Sequence, residues 1–137
     1  MILYNSETDF VLDQADNISS WIAKTIESEG KNEGDISYIF CGDDYLLEIN
    51  FKYLKHNTLT DIISFDYTDE DLISGDIFIS IDRVKENSEK FNVSFQDELH
   101  RVMIHGILHF CGYKDKTKEE EQLMRSKEDY YLSLRTF

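Results

Sequence analysis

A chain of 137 residues carrying 28 acids against 14 bases, net charge −14, is long enough to bury one core. It is too acidic to bind nucleic acid over its whole surface, because such binding rests on lysine and arginine contacts to phosphate. Cys41 and Cys111 are too few and too far apart for a disulfide framework or a zinc pair, and no apolar run approaches transmembrane length. The opening MILYNSETD lacks the basic and apolar parts of a signal peptide, so a cytoplasmic protein with one domain over residues 1–137 is expected.

In chain order, residues 1–5 read as a first strand. From Asp9 to Glu29, Phe10, Leu12, Ile18, Trp21, Ile22 and Ile26 recur at roughly helical spacing, which predicts an amphipathic helix ending near Gly30. Trp21 falls on its apolar face, so it belongs to the core and not to a base-stacking surface. GKNEGD at 30–35 reads as a loop, and Ile36 to Cys41 as the second strand. Gly42 opens a turn into a helix over Asp43 to Tyr53; the loop KHNTLTD then leads to a strand from Ile62 to Tyr67. YTDEDLISGD reads as a hairpin-like connection, Asp76 to Asp82 as a fourth strand with alternating Ile77, Ile79 and Ile81, and Arg83 to Phe91 as a helix.

The next stretch, SFQDELHRVMIHGILHFCGYKD from Ser94 to Asp115, organises the chain. Ser94 with Asp97 three residues on resembles a capping box, and Gly112 sits where a left-handed residue would end the helix. Between them, Phe95, Leu99, Val102, Met103, Ile104, Ile107, Leu108, Phe110 and Cys111 cover most of the circumference, so the helix is buried. A narrow stripe of Glu98, Arg101, His105 and His109 remains, and polar groups on a buried helix need partners. His105 and His109 are one turn apart and can grip one metal ion; after the Gly112 reversal, Asp115 can return a carboxylate to the same point. Two imidazoles and a carboxylate suit one Zn2+ per chain with a fourth position open, the arrangement of a catalytic site; iron(II) and other divalent ions are also suited. The last element, Lys118 to Leu134, is a helix with three glutamates in its first turn. The expected architecture is α/β (α+β): a small mixed four-stranded sheet, about five helices, and the metal helix buried in a zincin-like way.

The motif HGILHFCGYKD resembles the signature of the YbeY family, H-G-x-L-H-x-x-G-Y-D-H. Asn50 and Tyr53 ahead of Thr60-Asp61-Ile62-Ile63-Ser64-Phe65, and Gly75-Asp76-Ile77-Phe78-Ile79-Ser80, resemble two further stretches of that family in the same order. The resemblance implies a metal-dependent, single-strand-specific endoribonuclease acting in ribosomal RNA maturation and ribosome assembly. It implies RNA and the ribosome or its proteins as partners, with no membrane. Asp115 stands where the family has its third histidine, Lys114 where it has an acid, and Leu54 where it has an arginine held to contact phosphate. Lys52, Lys55 or His56 offers a neighbouring charge, and His56, in the loop where the family contacts substrate, is a candidate catalytic residue beside His105, His109 and Asp115.

Charge is uneven: residues 1–50 carry 11 acids and 2 bases, residues 51–82 carry 7 and 2, and residues 83–137 carry 10 and 10. Any phosphate-facing surface is therefore local, with Arg83, Lys85, Lys90, Arg101 and Lys114 as candidates. Cleavage would follow either from water activated at the metal or from attack by a ribose 2′-hydroxyl while the metal polarises the phosphate. Two rivals stand beside the nuclease. One is a ribosome-assembly binding factor with a structural metal. The other is a metzincin-like protease, ranked lower because such enzymes place a Glu base directly after the first His, where this chain has Gly106.

Overall fold

The computed structural model describes residues 1–55 and 58–137. Four strands form one mixed sheet in the order β1-β2-β4-β3: β1 (Ile2–Ser6), β2 (Asn32–Cys41), β3 (Ile62–Asp66) and β4 (Leu72–Ser80). β1 and β4 both run parallel to β2, and β3 pairs antiparallel with β4 at the edge. Five helices are described: α1 (Ala15–Ser28), α2 (Asp43–Leu54), α3 (Ile81–Phe91), α4 (Phe95–Phe110) and α5 (Lys118–Ser133). The α/β expectation, with its mixed sheet and buried fourth helix, agrees with this arrangement.

Strand periodicity decides which helix lies on which face. On β4, Ile73, Ile77 and Ile79 join the large core with α1, α4 and α5, whereas Phe78 points the other way, onto a small cluster of Cys41, Leu46, Ile63 and Phe65 beneath α2. α4 takes the central place: Leu99, Met103, Ile104, Ile107 and Leu108 are fully buried. Tyr38 of β2, itself buried, donates its hydroxyl to Met103 O at 2.9 Å, tying the helix backbone to the sheet. Where α4 crosses the sheet, a Cβ on Gly106 would lie 2.9 Å from Ile77 Cδ1 and 3.2 Å from Ile62 Cδ1. That side of the helix has no room for a longer residue.

Several boundaries differ from expectation. Residues 30–35 are not all loop: β2 starts at Asn32, and a register shift between Glu33 and Ile36 absorbs the extra residue as a bulge. Gly34 permits it, since a Cβ there would meet Ser74 Oγ at 2.3 Å and Ile73 O at 2.6 Å. β4 correspondingly begins at Leu72, inside the stretch read as a connection, and ends at Ser80, whose hydroxyl accepts from Arg83 N and starts α3. The first helix begins at Ala15 and not Asp9, because Gln14 is left-handed at φ 63°; Phe10 and Leu12 pack on the core from an irregular segment instead. Trp21 is in the core as expected, 6% exposed, and its indole donates to Tyr131 O. Half of the Ser94 capping box is present: Ser94 Oγ accepts from Asp97 N, but the Asp97 carboxylate accepts from Arg135 Nη2. The reciprocal box lies at the head of α5, between Thr117 and Glu120.

Gly75 of β4 lies under the end of α4, where a Cβ would fall 2.4 Å from Phe65 O and 2.5 Å from Phe110 Cζ. Because backbone and a buried ring cannot both give way, Gly75→Ala is expected to destabilise the protein by about 2–3 kcal/mol, read as a lower urea midpoint with an unchanged slope.

Candidate metal centre

Local helix geometry brings His105 and His109 to one side of α4 with ring centroids 4.5 Å apart. The helix then ends in a Schellman turn: Gly112 N donates to His109 O and Tyr113 N to Leu108 O, both at 3.0 Å, with Gly112 at φ +109°. The reversal returns Asp115, whose Oδ2 lies 3.1 Å from both His105 Nε2 and His109 Nε2. Ligand atoms of the three residues lie within 4.8 Å of one another, and their side chains remain 20%, 29% and 37% exposed, so the point of convergence is open to solvent.

The other ring nitrogens decide what this cluster can do. His109 Nδ1 lies 2.9 Å from Tyr113 O, and a carbonyl can only accept, so Nδ1 carries the hydrogen. In the neutral ring, Nε2 then turns a lone pair toward the Asp115 carboxylate. Likewise, Glu128 Oε2 lies 2.6 Å from His105 Nδ1. Burial opposes charging of His105, but the hydrogen bond and charge of Glu128, with the charge of Asp115, outweigh it and hold the imidazole above its ordinary pKa. With both Nδ1 atoms engaged, the two Nε2 atoms and the carboxylate turn to one point, where a metal ion could take the place of a proton shared between them. Donors at zinc's bond lengths of ~2.0–2.1 Å and a tetrahedral angle would lie roughly 3.3 Å apart, close to what the triad offers.

Outer contacts hold the ligands in place. Glu128 of α5, 4% exposed, also accepts from Arg101 Nη1 at 2.9 Å, and Arg101 Nη2 reaches Asp129. Tyr113 receives His109 through its carbonyl and donates its hydroxyl at 2.7 Å to Glu29, which caps the end of α1. Glu128 is not among the residues singled out from the sequence. Its signal was position: Glu128 shares a helix face with the buried Met124 and Tyr131.

Other expected residues fall elsewhere. Arg83 is engaged by Asp43 and Glu86, and Arg101 by Glu128 and Asp129, so neither guanidinium is free for phosphate. Arg125 borders the site together with the engaged Arg101; it lines the space beside His105 on one side and beside Asp115 on the other, with its nearest carboxylate, Glu128, 3.9 Å away. Leu54 ends α2, half exposed. His56 lies outside the described residues. Burial pushes the thiols of Cys41 and Cys111 up to about 12, which removes them as ligands or nucleophiles. His100, not singled out from sequence, is buried between Trp21 and Phe137 and accepts from Arg135 Nη1 at 2.7 Å, away from the triad.

The family model described as Endoribonuclease YbeY matches residues 3–135. The chain belongs to the YbeY family. Relatives named Endoribonuclease YbeY include one from Flavobacterium johnsoniae, 58% identical over 134 residues that cover 98% of this chain and 96% of the relative. Another, from Cytophaga hutchinsonii, is 46% identical over 138 residues, covering 100% of this chain and 96% of the relative. A solution structure of a Thermotoga maritima protein shares the fold at TM-score 0.70 and 26% identity, covering 97% of this chain and 87% of that one. The YbeY motif thus stands on a helix, turn and loop whose geometry fits a metal, with Asp115 taking the third position.

Because Glu128 both orients His105 and sharpens its basicity, Glu128→Ala is expected to weaken metal affinity about 10- to 100-fold, measured by competition with a chelator, while leaving the far-UV spectrum intact.

Proposed function

We propose that this chain is a metal-dependent, single-strand-specific endoribonuclease of ribosomal RNA maturation, working in the cytoplasm as one hydrolase domain over residues 1–137. The observation that carries the metal is the convergence of His105 Nε2, His109 Nε2 and Asp115 Oδ2 with both Nδ1 atoms already committed as donors. Zinc or another divalent transition metal there supplies a nucleophile at neutral pH and a Lewis acid for the phosphate. Asp115 adds negative charge that histidine would not, so the site is less acidifying than one of three imidazoles. With Leu54 in place of the family arginine, Arg125 is the group that meets the scissile phosphate, as its guanidinium borders the triad and is 60% exposed.

The acidic remainder of the surface supports docking to basic ribosomal proteins, with RNA confined to the neighbourhood of the triad. Gly106 argues against the peptidase: its side faces Ile77 and Ile62 in the core, so a glutamate base after His105 has no place beside a metal.

Tag-free protein should carry one equivalent of transition metal by mass spectrometry, and His109→Ala and Asp115→Ala should carry none. Both variants should lose cleavage of a single-stranded oligoribonucleotide by about a thousandfold or more, the worth of several kcal/mol of lost charge stabilisation. Wild-type protein that stays metal-free after incubation with zinc would refute the catalytic reading and leave the assembly-factor role. Arg125→Ala should keep its metal but lower kcat/KM about tenfold or more, the usual worth of a hydrogen bond to a charged group.

A further inference from the structure

Between α3, α4 and α5, on the flank of His105 away from Asp115, lies a pocket of about 220 Å³. Glu98, on the polar stripe of α4, forms part of its wall and is only 6% exposed. Among the described residues its carboxyl makes no hydrogen bond and no ion pair, although its neighbours Glu128 and Arg101 are both engaged. Most of the residue is packed away, but the carboxyl oxygens are not sealed in the interior, so what access they keep is through the pocket, where a ligand's donors would meet them. Burial, reinforced by the charge of Asp61 on the same wall, raises the carboxyl's pKa accordingly.

The remaining walls narrow the ligand. Phe91, at the end of α3, is 54% exposed and presents an aromatic face at the mouth. One turn earlier, the half-buried Asn87 offers an amide that both donates and accepts. A flat apolar face beside a mixed polar edge suits a heterocycle. The volume is below the ~300 Å³ at which pockets for larger ligands begin, so it holds one ring system. Carboxylates on the wall repel phosphate, which is left to Arg125 and the triad at the rim.

We propose that this pocket is a nucleobase subsite of the RNA-cleaving centre, in which Glu98 selects bases that carry an exocyclic amino group. Cytosine and uracil make the distinction sharp. Cytosine presents an N4 amino donor to a carboxylate and an N3 acceptor to the Asn87 amide. Uracil presents a carbonyl at C4, which sets oxygen against oxygen at Glu98. Phe91 stacks on either ring, and so adds affinity without discrimination. The inference rests on the nuclease reading for its ligand class, and its test does not depend on turnover.

Amide resonances of the metal-loaded protein, followed by NMR during titration with cytidine and with uridine, measure the subsite directly, since nucleosides lack a phosphate. Cytidine is expected to perturb residues 87–98 and to bind about tenfold or more tightly than uridine, the discrimination a good base-edge pair provides. Glu98→Gln should bring that ratio toward one with metal content unchanged, and Phe91→Ala should weaken both nucleosides about tenfold. Matched oligoribonucleotides differing by one C or U beside the cut should show the same preference in cleavage. If neither oligonucleotide is cut but cytidine still outbinds uridine through Glu98, the nuclease reading fails and the subsite stands. Equal or absent binding of the two nucleosides would overturn the subsite while leaving cleavage by the triad intact. A second metal equivalent lost in Glu98→Gln would also overturn it, by giving the pocket to a cation.

Discussion

Three side-chain atoms turned to one point, two imidazole nitrogens and a carboxylate oxygen, organise this molecule. With Nδ1 of each histidine committed to an acceptor, His105 Nε2, His109 Nε2 and Asp115 Oδ2 face a common point, each nitrogen 3.1 Å from the carboxylate oxygen, an arrangement that could hold a metal ion. The fold keeps them from turning away. α4 is packed along nearly its whole length, so the rings cannot swing with the helix. Gly112, at a φ that side chains rarely adopt, places the acid, and Tyr113 pins the reversal to Glu29 at the C-terminal cap of α1. A hydrophobic core therefore serves as the rigid mount of a polar site.

Charge is used locally in the same way. A net charge of −14 suits neither RNA nor phosphate, yet the acids nearest the site have separate roles. Asp115 faces His105 and His109, Glu128 steadies His105 and engages Arg101, and Glu98 stands without a hydrogen bond beside them. Arg83 and Arg101 carry positive charge by composition but spend it on Asp43, Glu86, Glu128 and Asp129. Arg125 keeps its guanidinium at the rim, which gives a small cationic edge to an otherwise acidic surface.

Gly106 shows how the sheet constrains the chemistry. The residue after the first histidine is aimed at Ile77 and Ile62, where α4 comes closest to β4 and β3. A protease of similar spacing needs a carboxylate from that position, and here the Ile77 and Ile62 side chains crowd it.

The triad was legible in the sequence because everything it needs is local: two residues a turn apart, a glycine able to take positive φ, and an acid three residues later. The mixed sheet and the buried helix were legible for a related reason, since periodicity reports which faces are apolar. Strand limits were not, because the polar start of β2 and the start of β4, just after the acids 69–71, become strand only by pairing with each other, 40 residues apart at Asn32 and Leu72. Glu128 comes to His105 across 23 residues, and Arg101 finds its acids across 27 and 28. Such pairings depend on how α5 lies along α4, a matter of packing between helices that no spacing along the chain encodes. The sequence alone determined which atoms could hold a metal; the tertiary structure decided which charges are spent, which remain free, and that a pocket opens beside the site.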